Sequence, residues 1–94
     1  MKKMSVHVKI PAVLRTHVAG ARSVEAASGT LREVLGELGS KFPTLDDQVF
    51  GEGGDLHRFV NVYVNDEDVR YLDGLDTKVA DGDVIAILPA VAGG

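Results

Sequence analysis

The chain has 94 residues, 45% hydrophobic and 26% charged, with a formal net charge of -4 and no cysteine. This fits one compact domain and excludes an extended disordered chain. Without cysteine there are no disulfides, thiolate nucleophiles or thiolate metal sites, and the singly scattered Lys and Arg give no concentrated basic face for nucleic acid.

No run of about 18 apolar residues occurs, so no membrane span is expected. Lys2 and Lys3 precede an alternating polar segment instead of an apolar signal region, and the chain reads as cytoplasmic. Val6, Val8 and Ile10 alternate with His7 and Lys9, the period of a half-buried strand ended by Pro11. Residues 12–22 read as a connection, and Ser23-Val24-Glu25-Ala26 as a second strand in a long-looped hairpin with the first. Thr30 then opens the clearest helix. Its hydroxyl can accept from the Glu33 amide while Glu33 reaches back to the amide of Thr30, a capping box. Leu31, Val34, Leu35, Leu38 and Phe42 form the apolar stripe, Gly36 and Gly39 weaken it, and Pro43 ends it.

Residues 44–50 fit a short helical turn and residues 51–54 a glycine-rich loop. That loop lacks the Lys-Ser/Thr of a phosphate loop and does not precede a helix. The strongest strand covers residues 59–64, with Val60, Val62 and Val64 on one face and Phe59, Asn61 and Tyr63 on the other. Residues 65–68 read as a polar turn, residues 69–71 as a short strand, and residues 72–79 as a connection. Asp81-Gly82-Asp83 turns the chain into the last strand, residues 84–88, closed by Pro89. The order predicts an α+β domain, a β-grasp with a mixed four- to five-stranded sheet packed on one main helix and the first and last strands parallel neighbours. Residues 1–88 would form the domain and residues 89–94 a flexible tail.

The tail reads Pro89-Ala90-Val91-Ala92-Gly93-Gly94. Two successive glycines at a set place arise by chance in roughly one chain in 200, so alone they say little. Combined with the β-grasp order, the Asp-Gly-Asp turn and the proline-ended strand, the sequence resembles the ubiquitin-like sulfur carriers. These include the thiamine-pathway carrier and the small subunit of molybdopterin synthase. The resemblance spans nearly the whole chain and is closest to the cysteine-synthesis carriers, through His57-Arg58-Phe59-Val60-Asn61, Tyr63-Val64-Asn65-Asp66-Glu67-Asp68-Val69-Arg70 and the tail from Leu88 onward.

That resemblance implies a protein co-substrate without catalytic residues of its own. An ATP-dependent activating enzyme would adenylate the carboxylate of Gly94, and a sulfur donor would displace AMP to leave a thiocarboxylate. Pro89, Ala90, Val91, Ala92 and Gly93 would enter the partner's channel, where glycine permits close backbone approach. The resemblance further implies delivery to a pyridoxal-phosphate cysteine synthase acting on O-phosphoserine, then release by a zinc metalloprotease. Both cofactors would belong to partners and none to this chain. Alternatives are a carrier shared with molybdopterin, thiamine or secondary-metabolite synthesis, and a protein modifier conjugated through Gly94.

Phe59, Tyr63 and Leu88 could form an outward apolar patch for partner docking, or a satellite core beneath the loops. His7, His17 and His57 lack metal-ligand spacing, and no metal site is expected. Asp66-Glu67-Asp68 reads first as a solvated turn, while Asp81 and Asp83 would support theirs by local hydrogen bonds.

Overall fold

The computed structural model describes residues 5–51, 54–57 and 60–89. Strand β1 (Val6–Lys9) pairs antiparallel with β2 (Ser23–Ala26), Val6 facing Ala26 and Lys9 facing Ser23. Their connection is not featureless: Ala12–Val18 winds into a 3-10 helix that buries Leu14 and Val18 against the core. A two-residue strand β3 (Gly29–Thr30) leads into α1 (Leu31–Lys41). The capping box forms as the sequence predicts: the Glu33 amide donates to Thr30 Oγ1 at 3.2 Å, and the Thr30 amide donates to Glu33 Oε1 at 2.9 Å. Phe42 separates α1 from α2 (Pro43–Val49), which starts on the proline as that residue's fixed φ favours.

After α2, β4 (Val60–Val64) meets β5 (Glu67–Asp68) through a two-residue turn, with Asn65 at φ 50 and Asp66 at φ 72. Two left-handed residues match the right-handed twist of a hairpin. The polar turn is thus shorter than the 65–68 expected, because Glu67 and Asp68 pair with β4. Val69–Tyr71 is a 3-10 turn and not the expected strand. The reason is Asp68: its carboxylate accepts from the Arg70 amide at 2.9 Å and curls the chain off the strand course. The 72–79 connection holds a second 3-10 turn, Gly74–Asp76, and β6 (Lys78–Val79), which pairs with β3.

The last strand, β7 (Val84–Pro89), runs one residue further than expected, through the proline. The main sheet has the order β2-β1-β7-β4-β5, with β7 parallel to β1 and antiparallel to β4. This is the β-grasp arrangement that the element order predicts. One face of the sheet packs Val6, Val8, Val62, Ile85 and Ile87 against Leu31, Val34, Leu35 and Leu38 of α1 and Leu45 and Val49 of α2. The alternation of the strands sends the intervening residues to the opposite face.

Candidate functional site at the end of β7

The central place of β7 decides how its end is held. Parallel pairing sets Val8 beside Ile85 and Lys9 beside Ala86, while antiparallel pairing sets Val62 beside Ile87 and Asn61 beside Leu88. Ile85 and Ile87 are buried at 0% and 1% exposure, whereas Leu88 is 45% exposed. The strand is thus paired on both sides over Val84–Ala86, held by β4 from Ile87 to Pro89, and packed on the core from beneath.

Its start is anchored by the Asp-Gly-Asp turn. Asp81 Oδ1 accepts a short hydrogen bond from the Ser5 amide, and Gly82, at φ 89, donates its own amide to the Ser5 carbonyl. Asp83 Oδ2 accepts from the Ala80 amide at 2.8 Å and Asp83 Oδ1 from Asn65 Nδ2 at 3.0 Å. The Val84 amide donates to Asn65 Oδ1 at 3.0 Å, so one side chain bridges two turns. The Ala80 amide first, and then the Asn65 amide group, hold the Asp83 carboxyl below its ordinary pKa. The local support expected of Asp81 and Asp83 is present, and Asn65 is the partner that sequence reading missed. No spacing announces it, because the two turns meet only through sheet pairing.

On the outer face, Tyr63 lies opposite Ala86, one step diagonally from Leu88. Tyr63 is half-buried and Leu88 exposed, and the helices pack on the other side. Tyr63 and Leu88 thus share an outward face, as the alternation predicts; Phe59 lies outside the described residues. Lys9 flanks Ala86 from β1. On the other flank Asp68 faces Tyr63 and grips Arg70, whose Nη2 donates to Asp68 Oδ2 at 2.7 Å. The Arg70 hydrogen bonds hold the Asp68 carboxyl below its usual pKa. Sequence reading places Asp68 in a solvated turn, whereas its carboxylate is taken up by Arg70, and it gives Lys9 no part in this face. Only the register reveals that they border the apolar residues.

Pro89 closes β7 with its Cα opposite Val60. Ala90, Val91, Ala92, Gly93 and Gly94 lie outside the described residues, so their proposed insertion rests on sequence. The histidines are dispersed. His7 is on the outer face, and His17 Nδ1 lies 3.0 Å from Thr44 Oγ1, linking the 3-10 helix to α2. Among the described residues no three His, Cys, Asp or Glu side chains converge as a metal site, and no helix is long and apolar enough to cross a membrane.

Comparison with known proteins places the chain in a family. The profile described as the ThiS family matches residues 8–94. The chain belongs to the ThiS family. Within it, the chain is 50% identical over 93 residues to the sulfur carrier protein CysO of Mycobacterium tuberculosis, covering 97% of this chain and 100% of that protein. Small archaeal modifier protein 1 of Haloferax volcanii is 35% identical over 80 residues, covering 82% and 87% respectively. In solved structures, this ThiS-family fold superposes on the Amycolatopsis orientalis BexX/CysO complex with a TM-score of 0.87 at 50% identity, covering 95% of this chain and 99% of that one.

Proposed function

We propose that this chain is a sulfur carrier that works through the carboxylate of Gly94. The observation behind the reading is the near-full-length 50% identity to a sulfur carrier, in a chain whose central strand runs to Pro89, three residues before Gly93-Gly94. A carboxylate is a poor electrophile because its negative charge is delocalised onto the acyl group and it carries no leaving group. An activating enzyme using ATP would join the Gly94 carboxylate oxygen to the α-phosphorus and release pyrophosphate. A sulfide donor would then attack the acyl carbon and expel AMP, leaving a thiocarboxylate. Ionised at neutral pH and soft, that group can attack an acceptor without a general base on the carrier.

The carrier's own contribution is geometric. Pairing with β4 through Pro89 holds the start of the tail in the sheet, and Ala90, Val91, Ala92 and Gly93 are small enough to follow a narrow channel. Phe59, Tyr63 and Leu88 would dock against the enzyme that receives the tail; an exposed Leu88 with a half-buried Tyr63 on the same face near the end of β7 suits that role. The A. orientalis CysO structure, solved as a complex with BexX, supports a protein partner in this family. The acceptor we infer is a pyridoxal-phosphate cysteine synthase acting on O-phosphoserine, with release of the product by a zinc metalloprotease; both cofactors would be held by those partners. A carrier shared among thiamine, molybdopterin and other pathways is the nearest variant. The need for ATP fits a cytoplasmic setting.

The similarity to a small archaeal modifier protein favours one second reading, conjugation of Gly94 to a lysine of a target. Both begin with the same adenylate. Pyrophosphate exchange into ATP, catalysed by the cognate activating enzyme, tests that shared step: exchange should require this chain and vanish when Gly94 is deleted. Exchange undiminished by the deletion would refute the assignment. Higher-mass conjugates dependent on Gly94 would select the modifier reading.

A further inference from the structure

The loop that follows β5 is anchored at two points, Val69 and Leu75, both buried in the core. Between them its shape is set from within. The Leu72 amide donates to the Val69 carbonyl at 3.0 Å, and the Asp73 amide donates to Oγ1 of the buried Thr77 at 3.1 Å. The Asp76 and Thr77 amides close the next turn on the carbonyls of Asp73 and Gly74. A loop held in this way keeps the residues between its anchors out of the core. Tyr71 accordingly stands 85% exposed and Leu72 38%, two neighbouring large side chains on a preorganised support.

Both side chains line a groove of about 610 Å³, whose far wall includes Val64, Asn65 and Glu67. Its charge is one-sided. Glu67, Asp73, Asp76 and Asp83 line it together with one cation, Lys78. Arg32 lies 3.9 Å from Asp76, and counting it still leaves four carboxylates to two cations. Arg70 precedes Tyr71 in sequence, but its guanidinium is committed to Asp68. Asp83 is taken up by the Ala80 amide and Asn65. The Glu67 and Asp73 carboxylates, in contrast, have no hydrogen-bond or ion-pair partner among the described residues.

We propose that this groove docks a basic segment of a partner protein, with an arginine or lysine side chain laid across Tyr71 and Leu72 and its charge between Glu67 and Asp73. Both halves of such a side chain are matched. The apolar stem covers the leucine and the ring edge, and the cationic head meets the ring face and the two free carboxylates. Arginine suits the groove best, because its flat guanidinium stacks on a ring and pairs with a carboxylate through two bonds. The same negative charge excludes nucleic acid and an anionic membrane surface as occupants. The preformed loop also reduces the ordering that binding would otherwise require.

The groove is remote from the tail. Asp83 stands at the start of β7 and Pro89 at its end, six residues later, a span of ~20 Å at the rise of a strand. A partner seated here therefore leaves the end of β7 uncovered, so the carrier can be held by one protein while a second takes its terminus. Only that consequence rests on the reading of Gly94 as the reactive group; the docking itself needs no sulfur chemistry.

The test is an NMR titration of the isotope-labelled full chain with a blocked Arg-Leu-Arg-Leu peptide and with its Glu-Leu-Glu-Leu counterpart. The basic peptide should give saturable shifts at Glu67, Tyr71, Leu72 and Asp73, and the acidic peptide none. Tyr71→Ser should weaken binding about threefold, and Asp73→Asn should also weaken it. Both side chains are exposed, so the melting temperature of each variant should match the parent's and separate lost docking from lost folding. Deleting Gly93 and Gly94 should leave the titration unchanged while abolishing adenylation, which keeps the two readings distinguishable. Shifts spread evenly over exposed carboxylates such as Asp47 and Asp55, or binding indifferent to Tyr71→Ser, would overturn the proposal. The same shifts on concentrating the chain alone would also overturn it, since they would assign the groove to a second copy.

Discussion

Asn65 combines two demands that few residues satisfy together. Its backbone is left-handed at φ 50, and its side chain both donates to Asp83 and accepts from the Val84 amide. Asn65→Ala should lower stability by about 2 kcal/mol, from two lost hydrogen bonds and the left-handed penalty. Asn65→Gly should cost about 1 kcal/mol, since it keeps the backbone geometry. Urea denaturation of the three proteins measures the order, and an alanine variant at least as stable as the parent would contradict it.

Acid should expose the same contacts. Asp83 is held below its ordinary pKa chiefly by the Ala80 amide, Glu37 by the Ala27 amide, and Asp68 by the Arg70 side chain. A carboxylate with a depressed folded pKa stabilises the fold above its unfolded value, near pH ~4, and loses that contribution as pH falls through the folded value. The groups are surface contacts, so each effect is modest. The melting temperature should be level through neutral pH and fall below pH ~4, less steeply in Asp83→Asn. A melting temperature unchanged well below that range would show that these bonds do not stabilise the fold.

Between elements, α1 and α2 meet where a glycine is needed. A Cβ on Gly39 would come within 3.0 Å of Asp46 Cβ, whereas one on Gly36 would meet nothing within 4 Å. Gly36→Ala should therefore stabilise the protein by up to ~1 kcal/mol through helix propensity. Gly39→Ala should destabilise it by about 1–3 kcal/mol, the range for forced overpacking. Thermal melts of the pair give the two signs, and stabilisation by both would remove the close approach from the account. Sequence reading treated both glycines alike, as local weaknesses, because a helix-to-helix distance is not written in either helix.

The same limit explains which other elements were legible. The capping box, the stripe of α1 and the alternation of β1, β4 and β7 are local patterns, and they form where the residues predict. Val69-Arg70-Tyr71 has strand-forming residues, yet one carboxylate at Asp68 turns it aside. The β3–β6 pair, Gly29–Thr30 with Lys78–Val79, has almost no signal, since each strand has two residues and their partners lie far apart in sequence. Of the candidate site, the shared outward face of Tyr63 and Leu88 followed from alternation alone. Lys9 and Arg70 at its borders required the pairing register.

At the scale of the molecule, the first strand and the last are parallel neighbours, and the last is the centre of the sheet. Pairing with β1 over Val84–Ala86 and with β4 through Pro89 ties the strand that leads to the tail into the sheet, and its start is bound into the turn at Asp81 and Asp83. The helices cover one face and leave the other to Tyr63, Ala86 and Leu88. The end of this strand and the face opposite the helices are therefore on the same part of the molecule. The central claim is that chemistry resides at the terminal carboxylate. Tandem mass spectrometry of the C-terminal peptide, after incubation with ATP, the cognate activating enzyme and a sulfide donor, tests it most directly. One oxygen should be replaced by sulfur, localised to Gly94 and absent without ATP. An unmodified Gly94 with an enzyme shown to be active, or sulfur found elsewhere on the chain, would contradict it.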